Sequence, residues 1–171
     1  MDGTVQSVLA DDPFGYWHAM VPSVRPRRAL LLGLGAGTVA RLIHERFGPV
    51  PTIGVDDDPA VLAVAQRALA DLPDFGIVQA DAFEFVAACA EGSERFDYAA
   101  VDLYRGARLA HGVVGRPFLK ALKTVLQPRG VAAFNLFLER RAADRVRRIE
   151  RVFPKLERRM VGKNVIVWVR A

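Results

Sequence analysis

Gly33, Gly35 and Gly37 stand at alternate positions directly after the apolar run Leu30, Leu31, Leu32, and an amphipathic segment begins at Thr38. Strand, glycine turn and helix are predicted in that order. Glycines let the backbone turn sharply and place no Cβ between a helix N-terminus and a ligand, whose negative groups the free N–H donors favour. Aspartates recur where later apolar runs end: Asp56, Asp57 and Asp58 after residues 52–55, Asp81 after residues 77–79, and Asp102 after residues 98–101. A carboxylate at the end of a buried strand can accept two ribose hydroxyls or an amino group, or hold a proton for a reacting group. Each motif also has a plainer reading. The glycines could make a tight turn that binds nothing, Asp58 and Asp81 could simply cap helices, and Asp102 could be a structural acid. Asp58 is read as the cap and Asp56 as the ribose acceptor. The repeated placement of acids at strand ends tips Asp81 toward adenine.

The spacing narrows the ligand. G-x-G-x-G departs from the dinucleotide fingerprint G-x-G-x-x-G, whose third glycine would fall at Thr38, and no Gly-Lys-Ser or Gly-Lys-Thr follows to hold phosphates and magnesium. A ligand with adenosine and a carboxylate but no pyrophosphate fits better, and S-adenosylmethionine is the common one.

The elements that must position these groups follow from the hydrophobic pattern. A helix from Thr38 shows Val39, Leu42, Ile43 and Phe47 on one face and stops at Gly48 and Pro49; a second helix opens at Pro59, a third spans residues 82–90, and a fourth runs from Pro117 to Leu126. Strands are predicted at residues 30–32, 52–55, 77–79, 96–103 and 131–136. Strand and helix in alternation give a parallel sheet. Residues 106–115 read as a glycine-rich loop that covers the substrate. Two last strands, Leu156–Val161 and residues 165–169, are joined tightly through Gly162, Lys163 and Asn164, so an antiparallel strand closes the sheet. Ahead of this core lie a short strand around residues 4–8 and the aromatic run F-G-Y-W-H-A-M-V at 14–21. That run reads as a helical turn that either lies over the ligand pocket or plugs the core edge.

At 171 residues, with 51% hydrophobic and 25% charged residues, the chain is expected to fold as one α/β domain spanning 1–171. No apolar stretch is long enough to cross a bilayer and residues 1–3 lack signal-peptide character, so a cytoplasmic protein is expected. Cys89 is the lone cysteine; no ligand cluster suggests a metal, and none is expected. The net charge of +5 is carried mostly by arginine, much of it between Arg140 and Arg159. There Leu138, Ala142, Val146, Ile149 and Phe153 recur at helical spacing while Glu139, Asp144 and Glu150 interleave with the arginines. A solvated helix face accounts for the run, and nucleic acid is not expected as a partner. The aromatic segment and the first strand could support a homodimer.

On these motifs the chain resembles the spermidine synthase-like branch of the class I S-adenosylmethionine-dependent methyltransferase superfamily. M-D-G-T-V-Q resembles that family's L-D-G-x-x-Q strand, F-G-Y-W-H sits at its tyrosine-containing aromatic segment, residues 33–37 match its G-G-G-D-G-G loop in position, V-D-D-D-P-A-V is similar to V-E-I-D-x-x-V, and A-D-A-F-E-F-V is similar to G-D-G-F-E-F. The resemblance implies a Rossmann-like class I methyltransferase fold: a mostly parallel seven-stranded sheet with an antiparallel C-terminal strand and helices on both faces. Residues 1–24 would stand in place of the family's N-terminal β-domain. It implies further that Gly33, Gly35 and Gly37 receive the methionine part, Asp56 with Asp57 the ribose, Asp81 with Ala82 the adenine, and that Gln6 touches the cofactor.

Two departures shift the expected chemistry. Ala36 replaces the loop aspartate that in the family binds the aminopropyl ammonium, and D-L-Y-R replaces D-S-S-D, keeping Asp102 but putting Arg105 where the second acid would be. A cationic diamine would meet arginine in place of carboxylate. The expected activity is therefore methyl transfer from S-adenosylmethionine to a small-molecule acceptor, with Asp102 as the catalytic group and Tyr16, His18, Tyr104 and Arg105 around the acceptor. Aminopropyl transfer from decarboxylated S-adenosylmethionine is the alternative, and a catalytically silent nucleoside-binding relative the third.

Overall fold

The computed structural model describes residues 15–171, so the predicted first strand, Phe14 and the candidate cofactor residue Gln6 lie outside the described residues. In chain order the elements are α1 (Tyr16–Met20), β1 (Ala29–Leu32), α2 (Thr38–Phe47), β2 (Thr52–Asp56), α3 (Pro59–Ala68), β3 (Phe75–Gln79), α4 (Ala82–Glu91), β4 (Phe96–Val101), β5 (Tyr104–Arg105), β6 (Arg108–Leu109), α5 (Arg116–Val125), β7 (Leu126–Phe137), α6 (Ala142–Glu150), β8 (Leu156–Val161) and β9 (Asn164–Arg170).

Seven strands form one sheet in the order β3-β2-β1-β4-β7-β9-β8. Pairing is parallel from β3 across to β7, and β9 runs antiparallel to both its neighbours. This is the Rossmann-like class I methyltransferase arrangement expected from the sequence. Side-chain alternation along each strand builds two cores. Leu30 and Leu32 of β1 join Phe134, Leu136 and Val167 under α4, α5 and α6, while Leu31 joins Tyr98, Ala133 and Ile166 under α1, α2 and α3. A strand buried on both faces needs an unbroken apolar run, which is why β1 shows no alternation. Each fully buried leucine contributes about 1.5–3 kcal/mol.

The chain leaves β1 toward β2 and β3 on one side and returns to β4 and β7 on the other. The order therefore reverses between β1 and β4, where an open sheet has a crevice outside its carboxyl ends. Gly33 and Asp102 are the residues that leave those two strands.

β3 begins two residues early at Phe75 and β4 ends at Val101, and three larger differences from expectation stand beside these. β7 begins at Leu126, paired with Phe96, and its register then shifts before Tyr98 pairs with Val131. The intervening residues hold Pro128, which has no N–H for a ladder, and Arg129 at φ 68°. Leu138 lies outside α6 and is exposed, whereas Ala142, Val146, Ile149 and Phe153 are buried as the spacing required. The loop after Asp102 contains the small antiparallel hairpin β5–β6, a two-residue ladder too short for sequence periodicity to reveal.

Candidate active site

The turn after β1 is built on glycine for steric reasons. Gly33 has φ 80°, and a Cβ there would lie 2.2 Å from the carbonyl oxygen of Asp102, so the β1 exit and the β4 exit touch backbone to backbone. Gly37, at φ 87°, N-caps α2, and its Cβ would strike the Leu69 side chain at 2.4 Å. Ladder bonds continue to the rim: Gly33 N–H donates to the Val55 carbonyl (3.0 Å), Asp102 N–H to Leu32 (2.8 Å) and Ala80 N–H to Asp56 (3.1 Å). Four strands thus end at one level.

A cleft of about 550 Å³ opens at that level. Its lining includes Gly33, Gly35, Asp56, Asp57, Asp81 and Ala82, together with Tyr16, Asp102, Tyr104 and Arg105. The fold therefore brings together ten of the residues singled out in the sequence. Two are not among the lining residues. Gly37 is turned onto Leu69, and His18, on the exposed face of α1, is displaced because that short helix directs Tyr16 to the cleft and Ala19 and Met20 into the core. The aromatic segment thus does both things considered for it: Tyr16 and Trp17 line the cleft, and Met20 plugs the core.

On the β2 side, the Asp56 carboxylate accepts Gly35 N–H at Oδ2 and Asp58 N–H at Oδ1, each at 3.2 Å. Burial pushes its carboxyl above the ordinary range, and these N–H bonds pull the other way. Asp58 caps α3 by accepting Ala60 N–H at 2.8 Å. Asp81 caps α4, accepting Phe83 N–H (2.8 Å) and Glu84 N–H (3.2 Å) with the same Oδ1. Capping and lining the cleft are compatible, because a capping aspartate needs one oxygen and has two.

On the β4 side, Asp102 is half-buried and held from two directions. Tyr16 O–H donates to Oδ2 and Asn135 Nδ2 to Oδ1, each at 2.7 Å. Burial raises the Asp102 carboxyl above the usual range, while both bonds favour its charged form. Burial also raises the Tyr16 hydroxyl, and the neighbouring Asp102 charge adds to this. Tyr16 is therefore a neutral donor that keeps its proton. Tyr104 also lines the cleft, but its hydroxyl is engaged with β7, donating to the Asn135 carbonyl (3.3 Å) and accepting Phe137 N–H (2.8 Å). Arg105 reaches across the cleft mouth to Asp57 at 2.8 Å, with side chains 75% and 51% exposed.

Asn135 is a cleft residue, bonded to Asp102, that sequence reasoning missed as a site. Its signal was a carboxamide near the end of the apolar run V-A-A-F-N-L-F, where a buried amide needs partners. Among the described residues no three His, Cys, Asp or Glu side chains form a possible metal site, and no helix is long and apolar enough to cross a membrane.

No family model matches this chain. It is 34% identical over 145 residues to the polyamine aminopropyltransferase of Chromobacterium violaceum, covering 77% of this chain and 54% of that protein. It spans about half the length of the curated relatives it matches. Among solved structures, human methyltransferase-like protein 13 in complex with SAH superposes with a TM-score of 0.76 at 25% identity, over 84% of this chain and 71% of that one. A spermidine synthase in complex with the transition-state analogue AdoDATO gives a TM-score of 0.76 at 19% identity, over 93% and 61%, a likeness of fold.

Proposed function

We infer the activity of this chain from the family to which it belongs, the spermidine synthase-like branch of the class I S-adenosylmethionine-dependent methyltransferase superfamily: it binds decarboxylated S-adenosylmethionine and transfers the aminopropyl group to a small amine. The observation that carries this reading is the doubly held Asp102 carboxylate in the cleft, beside the glycine turn. It replaces methyl transfer as the first choice because the similar sequences are aminopropyltransferases.

The cleft suits an adenosyl sulfonium in its donor and acceptor set. Gly33 and Gly35 put backbone without a Cβ at the cleft wall, Asp56 offers a carboxylate to the ribose hydroxyls, and Asp81 with the Ala82 N–H faces the region for adenine. When bound, the sulfonium supplies an electrophilic carbon. Asp102 then has two tasks: it attracts the protonated amine by charge, and it takes a proton from that ammonium, which frees the nitrogen lone pair to form the C–N bond as the C–S bond breaks and the thioether nucleoside leaves. Its raised pKa suits proton acceptance better than an ordinary exposed carboxylate would. Tyr16 and Asn135 hold the carboxylate still, so little reorganisation is needed during transfer. The pairing of Arg105 with Asp57 lessens the repulsion a diamine would feel, since that cation is turned to a carboxylate and solvent.

Methyl transfer is the second reading, favoured by Ala36, a buried residue that supplies no carboxylate for an aminopropyl ammonium. Calorimetric titration with S-adenosylmethionine and its decarboxylated form, followed by an assay of thioether nucleoside release with a diamine, separates them. Preference for the decarboxylated form with release is expected; preference for S-adenosylmethionine establishes methyl transfer, and binding of neither overturns both.

A further inference from the structure

Three polar side chains are buried among the described residues: Thr52, Asn135 and Asn164. Thr52 is satisfied locally by the Val50 carbonyl at 2.8 Å. The asparagines form a chain that ends on Asp102. Asn164 Nδ2 donates to Asn135 Oδ1 at 2.8 Å, and Asn135 Nδ2 donates to Asp102 Oδ1 at 2.7 Å. Asn164 opens β9 opposite Phe137, two positions from the partner of Asn135, which is a diagonal cross-strand contact on one sheet face. It is 8% exposed, is not among the residues lining the cleft, and sits in a strand otherwise made of Val, Ile and Trp before its final Arg170. A carboxamide in such surroundings is costly unless its bonds are made, and an apolar side chain would pack without that demand.

The direction of the bonds gives the chain a purpose. An ionised carboxylate only accepts, so Asn135 must turn its NH2 to Asp102 and its carbonyl to Asn164, and Asn164 must donate. Among the described residues, Asn164 is the side chain that holds the Asn135 carbonyl away from Asp102. A carbonyl facing Asp102 is compatible only with the protonated acid. The orientation of Asn164 and the charge on Asp102 are therefore coupled across two hydrogen bonds.

We propose that Asn164 is a positioning residue for Asp102, fixing through Asn135 the amide orientation that keeps the Asp102 carboxylate ionised and aimed into the cleft. The consequence for turnover rests on Asp102 being the proton acceptor; the coupling itself does not. The test is a carbon-13 titration of the Asp102 carboxyl in the unliganded full chain, with the Asn164 side-chain amide followed in parallel. In the unsubstituted protein the Asn164 amide resonance is expected to shift with the same midpoint as Asp102. In Asn164→Leu, which removes the donor without adding charge, the Asp102 midpoint is expected to rise by about 0.5–1 unit, three- to tenfold in proton affinity. The acidic limb of the transferase pH profile should move equally, with KM for the amine little changed. A flat Asn164 resonance in the unsubstituted protein, or an unmoved Asp102 midpoint in a folded variant, overturns the proposal. The unsubstituted titration decides it if the variant does not fold. A coupled titration in a protein without transferase activity would keep the relay and reject the function; activity without coupling would do the reverse.

Discussion

Asp102→Asn is the substitution on which the functional reading stands most exposed. The side chain keeps its shape, but two donors, Tyr16 O–H and the Asn135 amide, now face a group that is uncharged and half donor. Loss of a positioned general base lowers turnover by about 10²–10⁴, or about 2.7–5.4 kcal/mol of barrier. Stability should respond in the opposite sense. Burial places the folded pKa of Asp102 above its unfolded value, so the folded state binds more protons and loses stability as pH rises through the window from the ordinary carboxylate value of 3.8 up to the folded pKa. The carboxamide lacks that slope. At neutral pH the variant should unfold at the same temperature as the parent or higher, and its stability should depend less on pH through that window. Cofactor affinity should stay within about threefold, because the ribose and adenine contacts assigned to Asp56 and Asp81 are untouched. The assays are initial rates of thioether nucleoside release against pH, calorimetry with decarboxylated S-adenosylmethionine, and thermal unfolding from pH 4 to 8. Turnover within about threefold of the parent at pH 7, with the fold intact, would refute the assignment of Asp102 as the base.

Other expectations follow from the same geometry. Tyr16→Phe removes a bond that favours the charged carboxylate, so the acidic limb of the pH–rate profile should shift upward by about one unit, the worth of one bond to a charged group; an unchanged limb would separate Tyr16 from Asp102. Asp56→Asn should weaken cofactor binding about 10- to 100-fold by calorimetry, since a charged acceptor for two hydroxyls is lost. Gly33→Ala should destabilise the fold by about 3 kcal/mol or more, read as a fall in thermal midpoint, because its Cβ meets backbone at φ 80° and not a movable side chain. Arg105→Ser should change stability by less than about 1 kcal/mol, as exposed ion pairs do, while tightening the binding of a diamine measured by its KM.

The order of elements apart from the β5–β6 hairpin, the two-faced burial of the central strands and the placement of aspartates at strand ends were legible in the sequence, because hydrophobic period and glycine chemistry are local properties. Gly33, Asp56, Asp81 and Asp102 could be located from their positions relative to apolar runs. Their convergence depended only on parallel strands ending together. What each group does beyond that was decided by contacts between residues far apart in the chain. Tyr16 meets Asp102 across 86 positions, Asn135 meets it across 33, and Arg105 meets Asp57 across 48. The Asn164 bond to Asn135 exists because β9 enters antiparallel beside β7 in one register, and a one-residue slip would turn that side chain to the other face. His18 and Gly37 belong to the right stretches yet lie outside the cleft lining, since local pattern gives position along the chain while only packing gives direction.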